Sequence, residues 1–286
     1  MPDGIIIIDK PENWTSMDVC AKLRGVFREK RVGHAGTLDP MATGVLPVFV
    51  GKATKAVSFA EDGQKEYHAI LRLGLTTDTQ DTTGTVLSEC EASVSEAELR
   101  AVLPRFTGEI SQIPPMYSAI KIGGQKLYDL ARKGQEVERK ARRITIYELE
   151  LVEMLSPREI KLRILCSKGT YIRTLCHDIG AALSCGGCMA ELRRTQASGF
   201  TIGEAVTMEQ AVEGGEALLK PLAEYFRDYP VFTLQNEAQE KRAQNGNLFY
   251  AEGVADGTYR VYGADGTFYS LSSAKDGELR SIKNFF

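Results

Sequence analysis

Three features of the amino-acid sequence predict an α+β fold: a mixed, mainly antiparallel sheet flanked by helices, followed by a small β-rich domain. Segments Tyr67–Gly74 and Glu159–Cys166 alternate apolar and polar residues, the period-two signature of half-buried strands. Capped segments of helical period, such as Ser16–Arg28 and Ser95–Arg105, are interspersed with them. After Tyr229-Pro230, the turn dipeptides Asn245-Gly246, Asp256-Gly257 and Asp265-Gly266 recur at spacings of about 10 residues, as in a compact β module. A length of 286 residues suits two domains, at about 100–200 residues each, and the composition shift divides the chain into 1–228 and 229–286.

Each element has a local cause. Gly4–Ile8 is a short, wholly apolar strand ending at Asp9-Lys10-Pro11. Ser16 is the expected N-cap of a helix that places Val19, Leu23, Val26 and Phe27 on one face. Lys30–Gly44, rich in Gly, Thr and Pro, has no sustained period and reads as a long loop, a class that is usually functional inside a compact domain. Val45–Val50 reads as a strand, Ala53–Ala60 as a short helix and Gly84–Cys90 as a strand after the turn-rich Thr76–Thr83. Ser95 and Glu98 have capping-box spacing. Lys121–Gly124 is a hairpin turn before a helix over Lys126–Lys133. Ile144–Met154 pairs with Glu159–Cys166 through a Ser-Pro turn, Thr170–Leu183 is helical and Met189–Thr195 is a strand. Glu237–Gln244 is the helix of the C-terminal module.

Composition narrows the functional classes. With 43% hydrophobic and 26% charged residues, the chain is neither disordered nor a coiled-coil rod. No apolar run approaches the ~20 residues that span a bilayer, and the start lacks a signal-peptide pattern, so a cytoplasmic location is expected. Six cysteines do not make a disulfide scaffold. Cys176, His177, Cys185 and Cys188 have a spacing open to zinc, but adjacent helical residues cannot easily face one ion, so buried inert thiols are expected instead. The net charge is only −3, yet residues 121–173 carry 13 Lys/Arg against 7 Asp/Glu. That segment is either a polyanion footprint or a solvated face.

The chemistry concentrates in Gly33–Gly44, where three glycines and a proline surround Asp39, with His34 five residues before it. A phosphate loop is excluded: the spacing from Gly44 to Gly51-Lys52 is wrong, and Ala53 stands where Ser or Thr is required. On the residues alone, Asp39 beside Pro40 suits a turn cap as well as a reactive carboxylate. A zinc deaminase is excluded, because the His-x-Glu and Pro-Cys-x-x-Cys pairing is absent.

Six ordered blocks carry a resemblance. Gly33–Leu46, the opening Gly4–Lys10 with Pro11, Lys65-Glu66-Tyr67, Pro114–Lys121, Ser167–Arg173 and Leu192-Arg193-Arg194-Thr195 resemble the blocks of the TruB family, the bacterial tRNA pseudouridine-55 synthases. The resemblance runs from about residue 4 to 200. It implies a pseudouridine synthase fold and a cofactor-free, metal-free isomerase that converts the T-loop uridine of tRNA to pseudouridine after flipping it out. It further implies Asp39 as nucleophile, Arg173 as its partner in a bidentate or simpler ion pair, and Tyr67 stacked on the base. Tyr171 and Leu192 would complete a water-excluding pocket, His34 would fill the gap left by the flipped nucleotide, and Lys10 would support the loop or touch a phosphate. Residues 229–286 resemble a short PUA-type RNA-binding module. The expected partner is the tRNA T stem-loop and the expected state a monomer, and the cations Lys121, Lys126, Arg132, Lys133, Arg139, Lys140, Arg142 and Arg143 would follow an RNA backbone.

Overall fold

A computed structural model describes residues 2–286. Its principal sheet contains nine strands: β1 (Gly4–Lys10), β2 (Val32–His34), β3 (Thr43–Val50), β4 (Lys65–Leu73), β5 (Gly108–Gln112), β6 (Arg142–Ser156), β7 (Glu159–Cys166), β8 (Gly187–Ala197) and β9 (Phe200–Thr201). The spatial order is β1-β3-β8-β4-β7-β6-β5, with β2 on β3 and β9 on β8. The pairings are antiparallel except β3 with β8, where Arg193 and Arg194 run parallel to Thr43 and Gly44.

The alternating strands bury one face each. Tyr67, Ala69 and Leu71 of β4 and Ile160, Leu162 and Ile164 of β7 enter one core. The helix Ile172–Ala182 lays Ile172, Leu175, Cys176 and Ile179 on the same layer. At about 1.5–3 kcal/mol for each large apolar side chain buried, this layer anchors the centre of the sheet.

Strand β1 does not alternate because both its faces are covered. Ile5 and Ile7 meet Phe49, Phe226 and Phe285, while Ile6 and Ile8 meet Val19, Leu23 and Met208. Ile5 also exchanges backbone hydrogen bonds of 2.9 and 2.8 Å with Lys220, which covers the edge of the strand against further pairing.

The second sheet has five strands, β10 (Val231–Thr233), β11 (Phe249–Tyr250), β12 (Gly257–Tyr262), β13 (Phe268–Lys275) and β14 (Glu278–Asn284), in the order β10-β12-β13-β14-β11. Phe232, Phe249, Val261 and Leu279 form its own core. It docks on the first body through aromatic rings: Phe226 lies 5.6 Å from Phe285 and 6.1 Å from Phe268, centroid to centroid.

Several elements differ from the sequence expectation. Thr15, not Ser16, caps the first helix, Ser16–Phe27: its hydroxyl accepts from Asp18 N at 3.0 Å, and the Asp18 carboxylate accepts from Thr15 N at 2.8 Å. Ser16 is turned inward, as described below. The expected helix over Ala53–Ala60 is a 3-10 turn, Gly51–Ala56, followed by Val57–Glu61. The strand expected over Gly84–Cys90 is shorter, Val86–Glu89, and forms a ribbon with Leu75–Thr77. The loop over Lys30–Gly44 contains β2. Strand β5 and the helix Met208–Gly214 were not anticipated; β5 has almost no apolar pattern (Gly-Glu-Ile-Ser-Gln) and exists only because β6 pairs with it.

Between β5 and β6, residues 113–141 leave the sheet. They form the hairpin Lys121–Ile122 with Gln125–Lys126 and the helix Leu127–Ala131, and fold over a small core of Met116, Leu127 and Leu130. The six cysteines are unpaired; Cys176 and Cys188 are buried and Cys185 lies at the rim. Among the described residues, no group of three or more His, Cys, Asp or Glu could hold a metal ion, and no helix is long and apolar enough to cross a membrane.

Strand β3 approaches β8 so closely that a Cβ on Gly44, whose φ is +101°, would collide with the carbonyl oxygen of Arg194. Urea unfolding of Gly44→Ala should therefore show a loss of about 2–4 kcal/mol. Gly25→Ala, where a helical Cβ meets nothing within 4 Å, should instead gain about 0.5–1 kcal/mol.

Candidate active site

Asp39 stands on the loop joining β2 to β3, and buried groups fix that loop from beneath. The Ser16 hydroxyl accepts from Leu38 N at 2.9 Å and donates to Leu38 O at 3.2 Å. Ala42 N donates to Asp39 O at 3.0 Å, and Asn13 N to Pro40 O at 2.8 Å. Lys10, at the end of β1, is fully buried. Its ammonium donates to the carbonyls of Trp14 (2.6 Å), Pro11 (2.8 Å) and Pro40 (3.2 Å). Burial pushes its pKa down to about 8, with the charge of Asp39 opposing that fall. All three N–H bonds are thus occupied, so Lys10 supports the loop and has none left for a phosphate.

Arg173, in the first turn of the helix Ile172–Ala182, reaches Asp39 Oδ2 through Nε at 3.0 Å. The two ends of this pair differ in exposure: the Asp39 side chain is 39% accessible and the Arg173 side chain 6%. The carboxylate is therefore presented outward with its cation held behind it. The bidentate alternative is not adopted, because the remaining nitrogens are engaged elsewhere. Nη1 donates to Thr79 O at 2.9 Å and lies 3.6 Å from Asp81 Oδ2, and Nη2 donates to Tyr117 O at 2.8 Å.

Asp81 is a site residue that the sequence did not single out. It is buried, and its Oδ1 accepts from Thr83 Oγ1 (2.5 Å), Thr79 Oγ1 (2.8 Å) and Thr83 N (3.0 Å). The available signal was the Thr- and Asp-rich run Thr76–Thr83, which reads as a turn because its carboxylates are local hydrogen-bond acceptors.

Tyr67, Leu192, Leu38, Ala42 and Ile172 belong to one apolar cluster beside Asp39. The Tyr67 ring is 6% exposed, and burial raises the pKa of its phenol. Tyr171 precedes the helix and is pinned by the Gln112 side chain, which accepts from Tyr171 N at 2.8 Å and donates to Tyr171 O at 3.0 Å. Its phenol is likewise pushed up, first by burial. The charge of Asp39 also raises both phenols, a smaller effect than burial. Together the groups set one accessible anion, with a buried counter-cation behind it, beside an apolar cluster.

His34 ends β2 opposite Val48, and its Nδ1 is buried without a partner. Burial, and then the charge of Arg194, lowers its pKa. Arg194, quoted in the sequence only as part of a block, is fully buried beneath the loop.

Of the eight expected cations, Lys121, Arg132, Lys133, Lys140, Arg142 and Arg143 are exposed on or next to the 113–141 excursion. Arg139 is engaged with Glu136 (2.9 Å) and Pro114 O (3.3 Å), and Lys126 with the Tyr128 hydroxyl (3.0 Å).

Three outcomes follow from this geometry. Asp81→Ala leaves the hydroxyls of Thr79 and Thr83 without their buried acceptor and Arg173 with Asp39 alone, so it should destabilise the protein by about 1–3 kcal/mol. Asp62→Ala, which breaks the pair with Lys168 that is 65% and 62% exposed, should cost under about 1 kcal/mol; urea titration measures both. His34 resists protonation in the folded state, so the unfolded chain takes up the proton first as pH falls below the ordinary histidine value. Wild-type stability should accordingly drop on acidification from neutral pH, and His34→Gln should drop less over the same titration.

Residues 24–172 match the profile "TruB family pseudouridylate synthase (N terminal domain)", and residues 173–220 match "tRNA pseudouridylate synthase B C-terminal domain". A tRNA pseudouridine synthase B of Clostridium kluyveri is 41% identical over 291 residues, covering 99% of each chain. Another, of Alkaliphilus oremlandii, is 45% identical over 273 residues, covering 93% of this chain and 89% of the relative. Among solved structures, a Cbf5-Nop10-Gar1 complex aligns with TM-score 0.73 and 26% identity over 99% of this chain and 85% of that one. The archaeal box H/ACA sRNP Nop10-Cbf5 complex aligns with TM-score 0.71 and 25% identity, covering 99% and 86%. A fold shared with these structures, and sequence similarity along nearly the whole length of the relatives, lead to one conclusion: the chain belongs to the TruB family of tRNA pseudouridine synthases.

Proposed function

We propose that this protein isomerises the uridine at position 55, in the T loop of tRNAs, to pseudouridine, with Asp39 as the nucleophile. The reading rests chiefly on the Asp39–Arg173 pair: an accessible carboxylate held 3.0 Å from a buried guanidinium. Such a partner aims the carboxylate through a charge-assisted hydrogen bond, and a carboxylate oxygen so placed is the group a nucleophilic role requires.

The reaction conserves atoms. The glycosidic C–N bond breaks, the base rotates, and a C–C bond forms between ribose C1′ and base C5. C5 loses a proton and the freed ring nitrogen gains one. No oxidant, reductant or group donor enters, so the residues asked to act are Asp39, Arg173, Tyr67, Tyr171 and Leu192. The base leaves its stack at a cost of a few kcal/mol. Stacking on Tyr67 is worth about 1–3 kcal/mol and offsets part of that cost. His34, neutral and planar, is suited to occupy the place the nucleotide leaves. Tyr171 and Leu192 exclude water from the exposed side of the carboxylate.

A folded T stem-loop suits this surface, because RNA bases are read where they can be splayed from a loop. The exposed cations between Lys121 and Arg143 would follow its backbone, and the affinity would fall steeply with salt. In this reading residues 1–228 form the catalytic domain and 229–286 a PUA-like RNA-binding domain, and the protein acts as a monomer in the cytoplasm.

Incubation of a T stem-loop transcript with protein alone, followed by base mapping, tests the proposal. One pseudouridine at position 55 is the expected product; another position, or none, removes the assignment. Asp39→Asn should abolish product while the dissociation constant for tRNA stays near that of the wild type, and measurable turnover by Asp39→Asn would exclude Asp39 as nucleophile.

A further inference from the structure

We propose that Arg194 is a positioning residue for this reaction, its guanidinium clamping the two ends of the Asp39 loop and so setting where the carboxylate stands. The inference rests on the reading of Asp39 given above.

Arg194 heads the largest fully buried side chains of the protein. Its two donated hydrogen bonds go to carbonyls, its guanidinium also lies close to the Tyr67 hydroxyl, and no ion pair among the described residues includes it. A buried cation without a carboxylate costs several kcal/mol, and an apolar side chain would fill the same volume without that cost. What the guanidinium supplies is geometry. Nε donates to Val45 O at 2.7 Å and Nη2 to Gly36 O at 3.0 Å. Gly36 lies three residues before Asp39 and Val45 six after it. One rigid planar group therefore fixes both ends of the segment that carries the carboxylate, which a lysine, a single point of charge on a flexible stem, cannot reproduce.

The approach is tight on both sides. Gly36 has φ +75°, and a Cβ there would sit 3.3 Å from Arg194 Nη1. The Arg194 backbone lies against Gly44 in the parallel pairing of β8 with β3. Nη1 itself is buried without a partner. Lys10, His34, Lys65 and Tyr67, which surround the loop, all feel the charge. Since Arg194 is wholly buried, it acts through the loop rather than on the RNA.

Single-turnover pseudouridine formation at saturating enzyme, measured beside the dissociation constant for tRNA, separates positioning from general stability. For folded Arg194→Lys, which keeps the charge and loses the fork, the rate should fall about 100-fold while the dissociation constant stays within about twofold, since misplacement by about an ångström has effects of that size. A wild-type rate, or parallel losses of rate and affinity, would overturn the inference. If Arg194→Lys fails to fold, Gly36→Ala perturbs the same end of the loop with Arg194 in place, its Cβ pressing on Lys65 Cε (3.2 Å) and Arg194 Nη1 (3.3 Å). It should slow the rate without weakening binding, and unchanged rate would again overturn the proposal. Wild-type protein that forms no pseudouridine overturns both the functional reading and this one, whereas wild-type rates in both variants overturn this one alone.

Discussion

The site depends on one buried guanidinium. Arg173 joins the Asp39 loop to Thr79, 94 residues away in the chain, and to Tyr117, 56 residues away. Three segments without regular structure thereby acquire a common reference point on a helix. The cost of burying the cation is met by two carboxylates, Asp39 and Asp81, with different roles. Asp81 is enclosed by threonine donors and remains inside; Asp39 has one flank open. Charge is balanced in the interior while one carboxylate stays open to solvent.

The Asp39 loop is held at every scale. Ser16 binds the residue before the carboxylate, Lys10 the residue after it, and Arg194 the ends. Each contact ends on backbone, so none of them occupies the side chain of Asp39, which is held by Arg173 alone. Under the proposed function this is pre-organisation: little reordering would be required for the carboxylate to meet a substrate. The parallel pairing of β3 with β8 brings Arg194 under the loop, and the glycine at position 44 permits that approach.

Arg173 also links chemistry to the outer surface. Tyr117, whose carbonyl it holds, stands at the root of the 113–141 excursion, and its hydroxyl reaches Asp78 at 3.2 Å. The exposed cations of that excursion thus project from a stem that ends at the site. The second sheet is attached differently, through the Phe226, Phe268 and Phe285 rings packed under β1 and β3. One attachment is polar and adjoins the carboxylate; the other is apolar.

By itself, the sequence determined what local periodicity and covalent geometry can encode. Alternation in β4 and β7, the Ser95 capping box, the turns after Tyr229 and the unusual Gly33–Gly44 loop were all legible, because each depends on neighbours a few residues apart. Tertiary structure decided the rest. Ser16 looks like an N-cap but is recruited by Leu38, 22 residues away, so Thr15 takes the cap. Strand β5 exists only through its partner. Asp81 and Arg194 look like a turn acid and one of two adjacent arginines until folding buries them against Arg173 and the Asp39 loop. The worth of a charge is set by its desolvation and its partners across the fold, and neither is written in the residues beside it.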